Sequence, residues 1–530
     1  MNGRSAATVL PSRLLVVALS VGSACVSYRL TSPTVVSGHD EGLYLAGAWA
    51  ITASQGYRQI DLPSAPYQTK YPPAYSAALA LAGPRPTPGP EGLRRFKIVN
   101  AVCFGLIVFL TGELSARLAG PAPQARVTAA LLASTSLGLV THVDLICSDL
   151  LFLAFLLLSV VTLPVSREGS PRRALGAGLF LGLAVLTRMV GAAAAIGGAA
   201  LVTRYNRRDG ALVALIAGAF AGAWSFWAAH VRDPLINPVL RYYTLYDHFA
   251  WFDGLTQPAY AWSVVSSNVM NYARALPMAL GSPGPFTTVV LLVGIAIGIR
   301  RSVRSPVNGA LACMAIVYAL LVVGFPYVVT RYLLPAIPIA YAWLGVAVAS
   351  SAKPPDAGRT YDRLLAIGCG TLLLFVNVLE LRHYAGLPSD AVHVGFGQSL
   401  PFSKEGFLQT AEWIRNSTPA DAILASANDT VYFLQTGRRG VRPWPYEPDR
   451  YNGAYAVNGP PAPSDEVPSG LRRLGVSYLV VDPFLPDLEG EHASRYMELI
   501  LNAPGDRWTL VFTSDDGLHR VFRREGFVPR

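Results

Sequence analysis

The sequence predicts an α-helical polytopic membrane protein of about eleven transmembrane helices, followed by a C-terminal extracytoplasmic α/β domain. Three observations predict it. Of the 530 residues, 52% are hydrophobic and 14% charged, where soluble domains carry about 25% charged residues. The apolar runs dominate residues 14 to 381, and short Arg-rich loops recur between every second pair of them. Beyond 381 the runs stop, and amphipathic helix and strand patterns take over.

A bilayer span needs about 20 mostly apolar residues. Segments 12–30, 96–117, 127–145, 149–164, 174–188, 190–203, 210–230, 284–300, 308–324, 331–350 and 363–381 qualify, the fifth and sixth being short. Those two meet at Thr187, Arg188 and Met189, as a helical hairpin with its tip near the outer interface would. Basic residues collect at Arg117 and Arg126, Arg167 to Arg173, Arg204 to Arg208, Arg300 to Arg304, and Lys353 to Arg363, while the alternate loops are poor in them. That is the positive-inside pattern, and it puts the N-terminus in the cytoplasm. The basic N-terminus and its apolar run resemble a signal peptide, but no convincing small-residue cleavage site follows, so the first span is read as uncleaved. The stretch "PPAYSAALALAG" is too short to cross. Residues 72–83 and 40–56 are therefore expected as interfacial helices in a first outer loop, at the cost of leaving Arg94, Arg95 and Lys97 outside. The second long outer loop, 231–283, is rich in Tyr and Trp, which suits interface anchors around 242–262. The domains are then 1–381 in the membrane and 382–530 outside, the latter reading helix, strand, helix at "EGFLQTAEWIRNSTPADAILASANDTVYFLQTG", helix to strand at "GLRRLGVSYLVVDP", and late strands at "WTLVFTS" and "HRVFRRE".

The net charge of +10 alternates with membrane spans, which a nucleic-acid groove would not do. The five cysteines form no CxxC pair or metal-like spacing, so a disulfide framework or thiolate metal site is not expected. There is no Walker loop or Rossmann fingerprint.

Ionisable residues in or beside spans are costly and default to functional candidates. On the outer side Asp40 with Glu41, Lys70 beside Tyr71, Asp149 at the start of the fourth span, and Arg331-Tyr332 at the start of the tenth would converge, with Arg188 as a fifth position. Carboxylates there can accept a proton or orient a hydroxyl, and the cations can hold a phosphate. Asp40 also reads as a helix N-cap, and so does Asp149. Asp144 is a rival to Asp149.

The ordered set "DE", "KYPPAY", "SDLLFLAF", "LTR" and "TRYLLPAIP" resembles the GT-C clan of membrane glycosyltransferases, most of all the protein O-mannosyltransferases and the lipid A aminoarabinose transferase. The resemblance implies a polyprenyl-phosphate-linked sugar donor and inverting transfer to an extracytoplasmic acceptor, which is protein, lipid or glycan. It implies Asp40 as general base, Glu41 supporting it, and Asp149 on sugar or acceptor hydroxyls. Lys70, Arg188 and Arg331 would lie near the lipid phosphate, with Tyr71 and Tyr332 beside it. Here Tyr71 separates Lys70 from the proline pair, where the aminoarabinose enzyme has lysine next to proline. No cofactor is implied with certainty; a divalent metal, used by some clan members through paired acidic residues, is not favoured because the first loop has no Asp-x-Asp. Two other classes compete: a multi-pass transporter or lipid flippase, for which no repeat is visible, and a non-catalytic envelope assembly protein.

Overall fold

The computed structural model describes residues 3–33, 39–86, 92–120, 122–233, 236–244, 258–281, 284–325, 330–349, 357–386, 393–394, 398–399, 404–443, 466–482 and 490–526. Most of the Tyr and Trp run expected as interface anchors, 245–257, lies outside them.

Seven of the eleven expected spans are apolar helices of 18 residues or more: Leu10–Leu30, Arg94–Ala119, Arg207–Val231, Pro285–Ser302, Pro306–Val323, Thr330–Val348 and Thr360–Ala385. The third is a bent pair, Pro123–Ser134 and Leu137–Asp144, at 49°. At the bend the Ser134 and Thr135 hydroxyls turn back onto the Leu131 and Leu132 carbonyls, which competes with the helix ladder. The other three are shorter: Asp149–Thr162, Pro171–Thr187 and Gly191–Tyr205. Proline in the first turn starts the helices at Pro123, Pro171, Pro285 and Pro306, where a missing N–H costs nothing.

The helices 98–119, 149–162, 171–187 and 336–348 supply most of one large core, including Phe104, Leu114, Leu153, Leu181, Tyr341 and Leu344. Leu175, Ile196, Leu215, Phe226 and Phe375 remain exposed on the outside of the bundle, as a lipid-facing surface requires. Small residues let backbones touch. A methyl on Gly197 would stand 2.8 Å from the Cα of Met314 in the neighbouring helix.

The basic residues of the loops also serve the helix ends. Arg117 donates to the carbonyl of Val160 at 2.8 Å, Arg301 to that of Ala347 at 2.5 Å, and the Asn206 side chain caps the amides of Arg208 and Asp209 at 3.1 Å. These contacts satisfy groups that helix termini leave open. The discordant outer cluster is explained the same way. Arg94 donates to the carbonyls of Tyr28 and Arg29, and Lys97 to Asp144 at 2.7 Å and the carbonyl of Ser32 at 2.9 Å.

Two expectations need correction. The segment 231–283, expected as a loop, contains a 22-residue helix, Pro258–Ala279. Its polar residues disguise it, and Asn268 donates to the carbonyls of Val323 and Phe325, holding it across the end of the neighbouring helix. The helix expected at 72–83 shrinks to Ala74–Ala80, while the one at 40–56 forms as His39–Thr52.

The C-terminal residues form a five-stranded sheet in the order Arg439–Val441, Ile423–Ala425, Val476–Val481, Arg520–Arg524, Trp508–Thr513, the first three parallel and the last two antiparallel. Helices Lys404–Ser417 and Asp429–Thr436 contribute Phe407, Ile414 and Tyr432 to a core with Val480 and Val521. A second core, with Val441, Leu471, Leu479 and Ile500, is completed by Leu43, Leu62, Val239 and Tyr243 from the two long inter-span segments. The sheet is thereby fastened to helix His39–Thr52.

Gly197→Ala is expected to lower stability by about 1–3 kcal/mol through overpacking. Gly176→Ala, on the same bundle with nothing within 4 Å of the added methyl, gains roughly 0.5–1 kcal/mol. Denaturant unfolding in detergent micelles checks both.

Candidate active site

Asp40 stands in the first turn of helix His39–Thr52, Asp149 in the first turn of Asp149–Thr162, Arg188 just past the end of Pro171–Thr187, and Arg331 in the short turn Thr330–Leu333. Asp40, Asp149 and Arg188 each have the sign their helix end favours: carboxylates at N-termini, a guanidinium at a C-terminus.

These four meet in a single chain of alternating charge. Arg331 Nη2 donates to Asp40 Oδ2 at 2.5 Å, and its Nη1 stands 3.9 Å from Asp149 Oδ2. Arg188 Nη1 donates to Asp149 Oδ1 at 2.5 Å. The Tyr71 hydroxyl donates to Asp40 Oδ1 at 3.0 Å, so both carboxylate oxygens are held. Arg188 lies over the Tyr332 ring at 5.1 Å, and the Tyr332 carbonyl is held by the Tyr318 hydroxyl at 3.0 Å. Arg331 also approaches Cys147 Sγ at 3.7 Å.

The two ends of this chain differ in access. The side chains of Asp40 and Arg331 are 18% and 27% exposed, whereas Asp149 is 4% exposed. An incoming anion therefore meets Arg331 first. Arg331 Nε and Asp149 Oδ2 are buried atoms with no hydrogen bond among the described residues.

Burial pushes the Asp40 carboxyl up, but the charge and hydrogen bond of Arg331, with smaller help from His39 and Tyr71, hold it well below the usual carboxylate range. Paired with Arg331, Asp40 is a feeble base.

Glu41 faces elsewhere. Its Oε1 accepts the Ile146 amide at 2.7 Å, and burial, opposed by Lys97, lifts its pKa to about 7. Asp144 belongs to the Lys97 pair rather than to the guanidinium chain. Lys70 is buried, its ammonium 5.8 Å from the Tyr71 ring centroid. Asp40, Asp149, Arg188, Arg331, Tyr71 and Tyr332 thus come together, while Glu41 and Lys70 flank them.

Sequence reasoning missed the groups around the other side of Asp40. His39 Nδ1 lies 3.1 Å from Asp429 Oδ1, and the Thr430 hydroxyl donates to the His39 carbonyl at 2.9 Å. Tyr243 donates to Asp429 Oδ2 at 2.5 Å and accepts the Arg442 amide at 2.8 Å. Burial, and then the Arg442 charge, lower the His39 pKa. A histidine beside an Asp-Glu pair was the one available signal. No group of three or more His, Cys, Asp or Glu suited to a metal occurs among the described residues.

No protein-family model matches the sequence, and no curated protein matches it. Solved structures do. The archaeal oligosaccharyltransferase AglB from Archaeoglobus fulgidus, in complex with an inhibitory peptide and a dolichol-phosphate, matches over 97% of this chain and 75% of its own, at 13% identity and a TM-score of 0.55. ArnT from Cupriavidus metallidurans matches over 96% of this chain and 97% of its own, at 15% identity and a TM-score of 0.58, and its undecaprenyl phosphate complex at 12% and 0.55. These are GT-C glycosyltransferases, and the chain has their fold from end to end.

Removing one partner of a buried ion pair strands the other. Asp149→Ala is expected to destabilise by about 3–5 kcal/mol, and Asp149→Leu with Arg188→Met to recover most of that, as a double-mutant cycle of unfolding would register. Glu41, with its folded pKa of about 7 against 4.5 unfolded, contributes stability below the unfolded value that is lost as pH rises through the folded one. Glu41→Gln should therefore gain on the wild type steadily from about pH 5 to about pH 8, measured by unfolding midpoints.

Proposed function

We propose that this protein is a glycosyltransferase that moves a sugar from a polyprenyl-phosphate donor to an extracytoplasmic acceptor with inversion. The observation that carries the reading is Arg331, itself part-exposed, which joins the part-exposed Asp40 to the buried Asp149. The fold adds support: relatives in structure were solved with dolichol-phosphate and with undecaprenyl phosphate.

On this reading residues 1–381 form the membrane domain, with the N-terminus cytoplasmic and the site at the outer leaflet of the plasma membrane. Residues 382–530 form the external domain. Arg331 and Arg188 grip the phosphate of the donor, the planar guanidinium offering two parallel N–H groups. Tyr332 and Tyr71 flank it, and Lys70 adds positive charge nearby. Asp149 keeps the guanidinium groups in place and orients sugar or acceptor hydroxyls. Glu41 supports the helix that carries Asp40, through the Ile146 amide.

Asp40 is the general base. The acceptor oxygen attacks the anomeric carbon from the face opposite the phosphate. The bond from that carbon to the phosphate oxygen breaks, its electrons leave with the lipid phosphate, and the hydroxyl proton passes to Asp40. Because the attack comes from the opposite face, configuration inverts. The ion pair sets the order of events: a donor phosphate competes for Arg331, and Asp40, once released, becomes basic enough to take the proton as positive charge develops on the sugar.

Asp40→Asn should lower transfer by about 10²- to 10⁴-fold without weakening undecaprenyl phosphate binding, since it removes a competitor for Arg331. Arg331→Ala should weaken that binding. The assay feeds membranes a panel of radiolabelled polyprenyl-phosphate sugars and follows which label leaves the lipid. Full transfer by Asp40→Asn would sink the reading, and label crossing the membrane still attached to lipid would favour a flippase.

A further inference from the structure

The residue before the proposed base is held from outside the membrane domain. Thr430 opens the helix Asp429–Thr436 and donates its hydroxyl to the main-chain carbonyl of His39 at 2.9 Å. Its neighbour Asp429 meets the His39 ring at 3.1 Å and is itself fixed by the Tyr243 hydroxyl at 2.5 Å. His39, Asp429 and Thr430 are all buried. Three residues on from His39, the absence of a side chain at Gly42 makes the contact feasible: a methyl there would overlap the Thr430 side chain and stand 2.9 Å from its carbonyl carbon. Gly42 therefore packs directly against Thr430, and a side chain at position 42 would push the two apart.

The consequence is geometric. Arg331 holds the tip of the Asp40 side chain, which a donor phosphate would take away. The backbone beneath Asp40 then depends on what holds His39. Glu41 fixes one side of the helix start through Ile146, and Thr430 with Asp429 fixes the other. A misplacement of about 1 Å at a reacting group costs about 10²-fold in rate.

We propose that Asp429 and Thr430 of the C-terminal domain are positioning residues that hold the Asp40 backbone in register for proton abstraction through the His39 carbonyl and ring. The inference rests on the transferase reading and deepens it. The C-terminal domain then completes the catalytic apparatus rather than standing apart from it.

Two variants of the full-length chain test it: Thr430→Val, which removes the hydroxyl and keeps the volume, and Thr430→Ser, which keeps the hydroxyl. Three quantities are measured: amide hydrogen exchange across residues 39–52, affinity for undecaprenyl phosphate, and kcat with KM for release of label from the donor. Thr430→Val should speed exchange in that helix and lower kcat about 10-fold or more, with KM and undecaprenyl phosphate affinity within about twofold. Thr430→Ser should restore all of these. Unchanged exchange in Thr430→Val overturns the proposal, and so does faster exchange with kcat intact. A parallel loss of kcat and undecaprenyl phosphate affinity, or a Thr430→Ser as slow as Thr430→Val, also overturns it. Failure of the transferase reading shows separately, as full transfer by Asp40→Asn, and the exchange measurement is read without turnover.

Discussion

Arg331 bridging two carboxylates is the interaction on which the site depends. Its guanidinium reaches Asp40 on the first outer helix and Asp149 at the head of an inner helix, segments far apart in sequence. Without a cation between them, two acids at a membrane face would repel and one would protonate. With Arg188 at the far end, every charge has an opposite neighbour. A buried charge is tolerable only when paired and hydrogen-bonded. The alternation explains how four ionised groups share one small volume.

The same arrangement restrains Asp40. Burial alone would raise its carboxyl, and the pairing with Arg331 holds it well below the usual carboxylate range, while the Arg331 side chain stays 27% exposed. One guanidinium thus sets the charge state of Asp40 and still meets solvent.

The helix His39–Thr52 is the meeting point of the molecule. Three consecutive residues at its start reach three different places: His39 the C-terminal sheet domain, Asp40 the tenth predicted span, and Glu41 the turn before Asp149. The cluster "HDE" is therefore more than an N-cap or a run of surface charge. The hydrophobic core shared by Leu43, Leu62 and Tyr243 with Val441 and Leu479 ties the C-terminal sheet to that helix.

Much of this was legible in the sequence. Apolar length and the change of pattern after 381 predicted apolar helices and a C-terminal α/β domain, because burial in lipid constrains composition residue by residue. Candidate charges could be named because ionisable groups beside spans are expensive, and Asp40, Asp149, Arg188 and Arg331 do converge. The 22-residue helix Pro258–Ala279 and the bend at Ser134-Thr135 were not legible, since both depend on side chains satisfying particular carbonyls. Nor was the choice between near neighbours. Adjacent Asp40 and Glu41 point about 100° apart on their helix, and Asp144 and Asp149 lie on two different helices, so composition nominates all four, and only packing decides which carboxylate meets Arg331 and which meets Lys97. The sequence alone determined what kinds of groups must lie at the membrane face. Tertiary structure alone decided which partners they hold, because a pairing is set by distance in space, and distance along the chain carries almost no information about it.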